Sequence, residues 1–283
     1  MNLVDSALVR KLGSFIRLSA TELNILIDIQ SNSRRIARQA ELVHEGQSGH
    51  QVYVLQEGWA SCYKDLPDGG RQIITFSVPG DCLGLRSVLL RTSDHSFATI
   101  TDALVSIVPS QRITSLFHDQ PRLGAAILWA ASRDEAMTVE HLVNIGRRSA
   151  IQGMAHLILE LYERLQLVGL ATPTGFDCPL NQHAFADALG LSAIHINRTL
   201  RQLRERGLIT LSGHRLVIRA PEKLRELAEQ QQLSRPVIHP DISLRAPGRP
   251  LRSEAPDGRP SAMRSVPFFH LLSPLACCIL FCR

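Results

Sequence analysis

Residues 181–218 carry the pattern that most restricts what this chain can fold into. Asn181 and Ser192 are both favourable N-caps, and a run of residues with helical periodicity follows each of them. The segment between the two runs is short and contains Gly190, so a tight turn must join the two predicted helices. The residues after the second run resemble a hairpin that turns at Ser212-Gly213. The sequence therefore predicts a winged helix-turn-helix, with two helices at a tight turn and a β-hairpin after them.

The second predicted helix has one apolar face and one basic face. At about 100° per residue, the apolar face comprises Ile196, Leu200 and Leu203. The opposite face comprises Ile194, Arg198 and Arg201. Residues 181–219 carry six arginines against two acidic residues, a net charge of +4, whereas residues 1–180 carry 16 basic and 18 acidic residues. Because basic charge on one short segment is typical of a nucleic-acid contact, the segment is predicted to bind DNA.

The N-terminal part of the chain has a β-like pattern. Ser19 and Glu22 have the spacing of a capping box and predict the start of a helix. From residue 35 to 109, short apolar runs alternate with glycine-bearing turns, which favours a small antiparallel barrel or jelly roll. Residues 111–119 predict a short helix. The predicted fold class is therefore α+β, with an N-terminal antiparallel β-roll, a long helix and a C-terminal winged helix-turn-helix.

A long helix is predicted from Pro121, a favourable first-turn residue, to about Ile145. Its heptad seam comprises Gly124, Ile127, Ala131, Asp134, Thr138, His141 and Ile145. A seam with small and polar residues in its middle suits the register between two chains better than it suits a monomer core. These residues are therefore predicted to form a homodimer interface. The alternative is a helix that lies across the barrel.

The composition argues against several classes of protein. The 283 residues contain no apolar run of about 18 residues that would span a membrane, and the N-terminus lacks the apolar stretch of a signal peptide. The six cysteines show no CxxC pair and no disulfide-framework pattern, so reduced thiols in a cytoplasm are expected. Walker, GxGxxG and HExxH patterns and a Ser/His/Asp order are absent, so no enzyme is expected.

The order of these elements resembles the CRP/FNR family of bacterial transcription regulators over residues 10–230. The motifs that carry the resemblance are EG at 45–46, LQEG at 55–58, DGGRQI at 68–73, PGD at 79–81, GRRSA at 146–150 and LNQHAFADALGLSAIHINRTLRQLRERGLI at 180–209. The resemblance implies a sensing β-roll, a dimerising helix and a second helix-turn-helix helix that enters the major groove. It implies a cytoplasmic homodimer on an inverted-repeat operator in double-stranded DNA. It also leaves a contact with RNA polymerase open.

The resemblance also suggests which residues contact DNA. Arg198 matches an arginine that reads bases in the family, and it is the candidate for a bidentate contact with guanine. Ile194 stands where well-known members have a glutamate. His195 and Asn197 flank this face and are candidates for a phosphate or an adenine edge. The predicted set is completed by Gln182, Ser192, Ala193 and Arg201.

The stretch PGDCLGLRSVLLRTSDHSFATI departs from the members that bind cyclic AMP. Leu85 stands in place of a glutamate that accepts a hydrogen bond from the ribose, and Ser96-Phe97 stand in place of an arginine-serine pair that holds the phosphate. Arg86 is a candidate replacement for the missing charge. The effector-pocket candidates are Gly84, Leu85, Arg86, Ser96 and Thr138. Cyclic AMP is therefore not the expected signal.

No cofactor and no metal are predicted. The first cysteine, Cys62, lies in a predicted strand, which argues against the N-terminal cysteine cluster that holds an iron–sulfur centre in oxygen-sensing members. Haem stays open, because one histidine and one backbone donor would suffice to hold it. The histidine candidates are His44, His50, His95 and His118.

The predicted boundaries are a sensor domain at 1–120, a dimerisation helix at 121–146, a DNA-binding domain at 147–221, a terminal helix at 222–234 and a tail at 235–283. Pro, Gly, Ser and Arg dominate the tail until about residue 265, which is typical of disorder. The tail ends in PFFHLLSPLACCILFC, which is too short and too interrupted by proline to span a bilayer. For this tail, an extension peculiar to this chain or an altered reading frame is favoured over an anchor to a membrane or to a partner.

Two functions fit these patterns. The first is a homodimeric, sequence-specific transcription regulator of the CRP/FNR type that senses an unknown signal through its β-roll. The alternative is a dimeric ligand-binding or interaction protein whose helix-turn-helix no longer binds DNA. The salt dependence of DNA affinity separates them, because phosphate contacts release counterions.

Overall fold

The computed structural model describes residues 3–48, 51–90 and 92–229, so the predicted tail at 235–283 lies outside the described residues. After a short 3₁₀ helix come α1 (Ala7–Gly13) and α2 (Ala20–Ile29). The Ser19 hydroxyl accepts a hydrogen bond from the Glu22 amide, and the Glu22 carboxylate accepts one from the Ser19 amide at 2.7 Å. The predicted capping box is therefore confirmed.

Among the described residues, eight strands follow α2 along the chain. They are β1 (Ser33–Ile36), β2 (Glu41–Val43), β3 (Val52–Glu57), β4 (Ala60–Asp65), β5 (Arg71–Ser77), β6 (Cys82–Leu83), β7 (Ser96–Thr99) and β8 (Ala103–Val108). They pair antiparallel in two sheets, in the orders β1-β8-β3-β6 and β2-β7-β4-β5. Both sheets contribute to one buried cluster: Val43, Leu55, Ala60, Cys62, Leu83, Phe97, Ala103 and Val105. The predicted β-roll is therefore confirmed.

Glycines in two of the motifs lie where the backbone approaches another segment closely. Gly58, in LQEG, has a φ of +86°, and a Cβ there would lie 2.4 Å from the Asp102 carbonyl oxygen. Gly80, in PGD, has a φ of +94°, and a Cβ there would lie 2.8 Å from the Ala7 carbonyl oxygen. Neither position has room for a side chain, so these motifs are constrained by the fold of the roll and by its contact with α1.

Helix α3 (Ser110–Asp119) and the 26-residue helix α4 (Pro121–Gly146) follow the roll, and α4 begins at Pro121 as predicted. The first half of α4 belongs to a buried cluster with α1, α2 and β3. The members of that cluster include Leu8, Leu12, Leu26, Val52, Val54, Leu123, Ala126, Ile127 and Ala130. Further along, α4 also contacts β5. The roll therefore fixes one side of α4 along much of its length.

The structure contradicts part of the predicted seam of α4. Ile127 and His141 are buried within the same chain, and the Asp134 carboxylate lies 3.7 Å from the Lys11 ammonium. Ala131 and Thr138 are half-buried, and Ile145 is exposed. The exposed line comprises Leu128, Ser132, Glu135, Val139, Leu142 and Ile145. The predicted seam therefore faces its own chain at Ile127, Asp134 and His141. The exposed line, which shares only Ile145 with that seam, is the surface available to a second chain.

The C-terminal part is a winged helix-turn-helix, as predicted. Its elements are α5 (Ala150–Leu167), β9 (Ala171–Thr172), β10 (Gly175–Asp177), α6 (Gln182–Leu189), α7 (Ala193–Glu205), β11 (Ile209–Ser212), β12 (Arg215–Ile218) and α8 (Pro221–Glu229). The strands pair in the order β11-β12-β10-β9. The wing β11–β12 turns at Gly213-His214, one residue later than predicted. Of the terminal helix predicted over 222–234, residues 230–234 lie outside the described residues.

One buried cluster joins the roll to the winged helix-turn-helix. From the roll it takes Trp59, Tyr63, Ile73, Phe76, Val78 and Ala98, and from α5 it takes Met154, Leu157, Ile158 and Leu161 among others. The Gln72 side-chain amide on β5 also donates a hydrogen bond to the Ala188 carbonyl oxygen on α6 at 3.3 Å. The sheet that contains β5 is therefore packed against the DNA-binding part. Within the described ranges, no helix is both long enough and apolar enough to span a membrane.

Candidate nucleic-acid interface and effector pocket

Helix α7 is held by its inner face and by its N-cap. The Ser192 hydroxyl accepts a hydrogen bond from the His195 amide at 3.2 Å, as its predicted capping role requires. Ile196, Leu200 and Leu203 are buried, as predicted from the helical period. Thr199 is buried as well, and its hydroxyl donates to the His195 carbonyl oxygen at 2.9 Å. The inner face therefore fixes the rotation of α7 about its axis.

The outer face of α7 carries most of the predicted DNA contacts, and we call it the recognition face. Its exposed members are Ile194, His195, Asn197, Arg198 and Arg201, with Ala193 half-buried beside them. Ile194 has 77% of its surface exposed, so its side chain is accessible on this face. Within the described residues, Arg198 has no carboxylate within salt-bridge distance, so its guanidinium is available to a base or a phosphate.

Besides Ser192, three predicted contact residues already have side-chain partners in the free protein. The Arg201 guanidinium donates to the Glu205 carboxylate at 2.8 Å, and both side chains are exposed. The Asn197 amide donates to the Gln182 carbonyl oxygen at 2.5 Å. This bond joins the recognition face to the start of α6. Gln182 therefore supports Asn197 from the neighbouring helix, and Asn197 would have to share or exchange that bond in order to read an adenine.

The wing is braced against the neighbouring strands. The Arg215 guanidinium donates to the Asp177 carboxylate at 3.0 Å and to the Thr172 hydroxyl at 2.7 Å. These bonds connect β12 to β10 and β9, so the hairpin is held beside α7. The turn residue His214 is exposed at its tip.

A cavity of about 40 Å³ lies between the roll and α4, and it contains four of the five effector-pocket candidates. Gly84, Leu85, Arg86 and Thr138 line it. Ser96 does not, because it is buried and its hydroxyl accepts a hydrogen bond from the Glu45 amide at 2.9 Å. The assignment of Ser96 to the pocket is therefore wrong, since that side chain is committed to the backbone of another segment.

The pocket also contains a histidine that was predicted as a haem candidate but not as an effector-pocket residue. His95 lines the cavity, and within the described residues its Nε2 is buried without a hydrogen-bond partner. Its Nδ1 pairs with the Asp94 carboxylate. Burial lowers the pKa of His95, which favours the neutral imidazole.

Two cysteines line the same cavity. Burial raises the pKa of Cys62 and of Cys82 to about 12, so both are thiols. The described residues include no group of three or more histidine, cysteine or acidic side chains that could hold a metal ion.

A β-roll, a long helix and a winged helix-turn-helix with an exposed basic helix together define a DNA-binding regulator. Comparison with known proteins agrees. A model of the cyclic nucleotide-binding domain matches residues 33–120, and a model of the Crp-like helix-turn-helix domain matches residues 153–227.

Several curated and solved relatives resemble the chain over most of their length. The nitrogen fixation regulation protein FixK of Bradyrhizobium diazoefficiens is 32% identical over 180 residues, which cover 62% of this chain and 73% of FixK. FixK of Azorhizobium caulinodans is 30% identical over 193 residues, which cover 68% and 77%. The structure of FixK2 from Bradyrhizobium japonicum has a TM-score of 0.63 and 26% identity, and the match covers 69% of this chain and 96% of that one. The chain belongs to the CRP/FNR family of transcription regulators, and it is not an enzyme.

Proposed function

We propose that this regulator acts in the cytoplasm as a homodimer that binds an inverted-repeat operator in double-stranded DNA. Arg198 carries the proposal, because it is exposed at the centre of the recognition face and free of any carboxylate among the described residues. Genomic footprinting at two salt concentrations tests it. Half-sites should be centred about 10–10.5 base pairs apart, one turn of DNA. Affinity should fall steeply with salt. RNA polymerase is a candidate partner at the bound promoter.

The exposed line on α4 supports the homodimer. Leu128, Val139 and Leu142 are 58%, 56% and 71% exposed, and they recur at the spacing of a two-stranded seam. Apolar side chains at this spacing on one helix are stabilised when a second copy covers them. The dimer that we propose therefore uses this line, with Ala131, Thr138 and Ile145 at its margin.

Leu142→Glu should convert the dimer to a monomer. The substitution places a charge in the middle of the proposed seam, where a second copy would have to desolvate it. Sedimentation velocity measures the result as a shift from dimer to monomer mass. Leu89→Glu is the matched control, because Leu89 is 86% exposed and lies outside α4. A Leu142→Glu protein that remains dimeric would place the dimer interface elsewhere.

We propose that the signal is not cyclic AMP. The apolar Leu85 side chain cannot accept a hydrogen bond from a ribose hydroxyl, and Ser96 is occupied by the Glu45 amide. The cavity is also about 40 Å³, far below the roughly 300–1,000 Å³ of a typical ligand pocket. Isothermal calorimetry with cyclic AMP should therefore give no binding in the micromolar range. Micromolar binding, with operator affinity rising in step, would contradict this.

We propose no resident cofactor, and haem is the alternative to test. Of the haem candidates that the structure describes, which are His44, His95 and His118, His95 has a buried Nε2 without a hydrogen-bond partner among the described residues. His50 lies outside the described residues. The absorption spectrum of protein purified without air distinguishes the cases. A haem Soret band that is lost in His95→Ala would establish the alternative. The broad absorption of an iron–sulfur cluster would instead contradict the prediction, made from the position of Cys62, that the protein holds no such centre.

A further inference from the structure

A buried histidine links the β-roll, α4 and the first helix of the DNA-binding part. His141 lies on α4 and is buried. Its Nδ1 lies 2.5 Å from the Ile74 carbonyl oxygen on β5, and its Nε2 lies 2.6 Å from the Glu160 carboxylate on α5. The Glu160 side chain is 9% exposed. Three elements that belong to different parts of the protein therefore meet at one imidazole ring.

The two contacts require a protonated ring. A backbone carbonyl oxygen only accepts hydrogen bonds, and an ionised carboxylate only accepts them as well. Neutral imidazole has one N–H, so it would present a lone pair to one of the two oxygens. Imidazolium has two N–H groups and satisfies both. Because the site is buried, water does not readily replace the lost bond, and deprotonation would leave one acceptor unpaired.

The titratable and charged groups that face His141 come from α5, and they are Glu160, Arg164 and His156. The charge of Glu160 favours the imidazolium form, whereas the charge of Arg164 opposes it. Burial alone would lower the pKa of His141, but the charge of Glu160 and the two hydrogen bonds raise it above its ordinary value of 6.5. Burial alone would raise the pKa of Glu160, but His141 and Arg164 lower it to about 2. Glu160 is therefore ionised throughout the range in which His141 titrates.

The second histidine in this region responds in the opposite direction. Burial and then the charge of Arg148 lower the pKa of His156 below 6.5. On α4, Glu140 lies 3.4 Å from His156 and 2.7 Å from Arg148. The titrations of His156 and His141 are therefore separated, with only that of His141 above 6.5.

We propose that protonated His141 is a latch that holds α5 against the β-roll, and that loss of its proton loosens this contact and changes operator affinity. The contribution of the latch is complete below the ordinary imidazole pKa and is lost as the pH rises through the raised pKa of His141. The release therefore lies on the alkaline side of 6.5. Only the effect on operator affinity rests on the proposed function.

The latch itself is tested on the free protein. Ring ¹⁵N shifts should show that His141 carries protons on both nitrogens at pH 6.5 and titrates above that value. The rate of hydrogen exchange at the backbone amides of β5 and α5, corrected for the intrinsic pH dependence of exchange, should then rise with the same pH midpoint. The exchange rate should rise about tenfold for each pH unit by which the pKa of His141 exceeds 6.5. A neutral His141 at pH 6.5 in the wild-type protein overturns the proposal without any variant.

Glu160→Gln is the discriminating variant. The introduced amide would donate to neutral His141 through its nitrogen and accept from Arg164 through its oxygen, so one contact no longer requires a second proton on the ring. The alkaline rise in exchange should therefore disappear. His118→Gln, at a ring that is 93% exposed, should retain the wild-type response. Retention of the full response in Glu160→Gln would overturn the proposal.

Operator affinity measured from pH 6 to 9 tests the second part of the proposal, that loss of the His141 proton changes DNA binding. The wild-type protein should show a change with the midpoint of the His141 titration, and Glu160→Gln should not show it. Identical pH profiles of the two proteins would mean that His141 only stabilises the fold. Because the exchange measurements contain no DNA, a failure of DNA binding would be distinguished from a failure of the latch.

Discussion

Arg164→Ala is expected to destabilise the protein by about 3–5 kcal/mol, the cost of removing one partner from a buried ion pair. The Arg164 guanidinium donates to the Asp81 carboxylate at 2.6 Å and to the Glu160 carboxylate at 3.1 Å, and its side chain is 8% exposed. Lys11 also reaches Asp81, at 2.7 Å. The substitution leaves Asp81 with one cation and Glu160 with only His141. Urea unfolding at pH 7 measures the change in the free energy of unfolding.

The loss in the free energy of unfolding caused by Arg164→Ala should become smaller as the pH falls. Burial alone would raise the pKa of Asp81, but Lys11 and Arg164 lower it to about 2. A depressed carboxyl pKa contributes stability that is present above the ordinary value and lost as the pH falls through the folded value. Without Arg164 the pKa of Asp81 rises, so at pH 4 the variant can protonate that group and recover part of the loss.

An exposed arginine with a carboxylate partner provides the matched control. Arg112 pairs with Asp28, and the two side chains are 50% and 62% exposed. Arg112→Ala should therefore change the free energy of unfolding little. Equal losses from Arg164→Ala and Arg112→Ala would mean that burial of the Arg164 network does not determine its contribution to stability.

Local signals in the sequence predicted the local elements well. The N-caps Asn181 and Ser192, the capping box at Ser19 and the first-turn Pro121 each act within a few residues, so each can be read from a short window. The Arg164–Asp81 pair cannot be read in this way, because its partners are 83 residues apart and meet only when α5 packs on the roll. The same is true of the bond between His141 and the Ile74 carbonyl.

The two errors at functional positions each have a physical cause. On α4 both the polar seam and the adjacent apolar line have heptad spacing. Only the packing of the roll on Ile127 and His141 decides which of them remains exposed. In the pocket, a shift of one residue separates Ser96 from His95. Because neighbouring side chains in an extended segment point to opposite sides, that shift exchanges the residue that lines the cavity for one that does not.

Arg198→Ala should weaken operator binding by about tenfold or more, because a bidentate arginine–guanine pair contributes roughly 1–3 kcal/mol of base discrimination. Arg198 is exposed on the recognition face, opposite the buried Ile196, Leu200 and Leu203, so the fold should tolerate the substitution. Preference should relax at one base pair in each half-site. Quantitative footprinting on the operator and on its single-base variants measures both effects, with urea unfolding as the check on stability.

Arg201→Ala separates base reading from phosphate binding on the same helix. Arg201 is exposed one turn further along α7 and reaches Glu205 in the free protein, so the substitution also removes an exposed ion pair. As a phosphate contact it should weaken all sequences alike and reduce the salt slope by about 1. Glu205→Gln should have the opposite effect, because it frees Arg201 and removes a negative charge near the backbone of the DNA. An Arg198→Ala protein with unchanged base preference at unchanged stability would show that α7 is not the element that reads the operator.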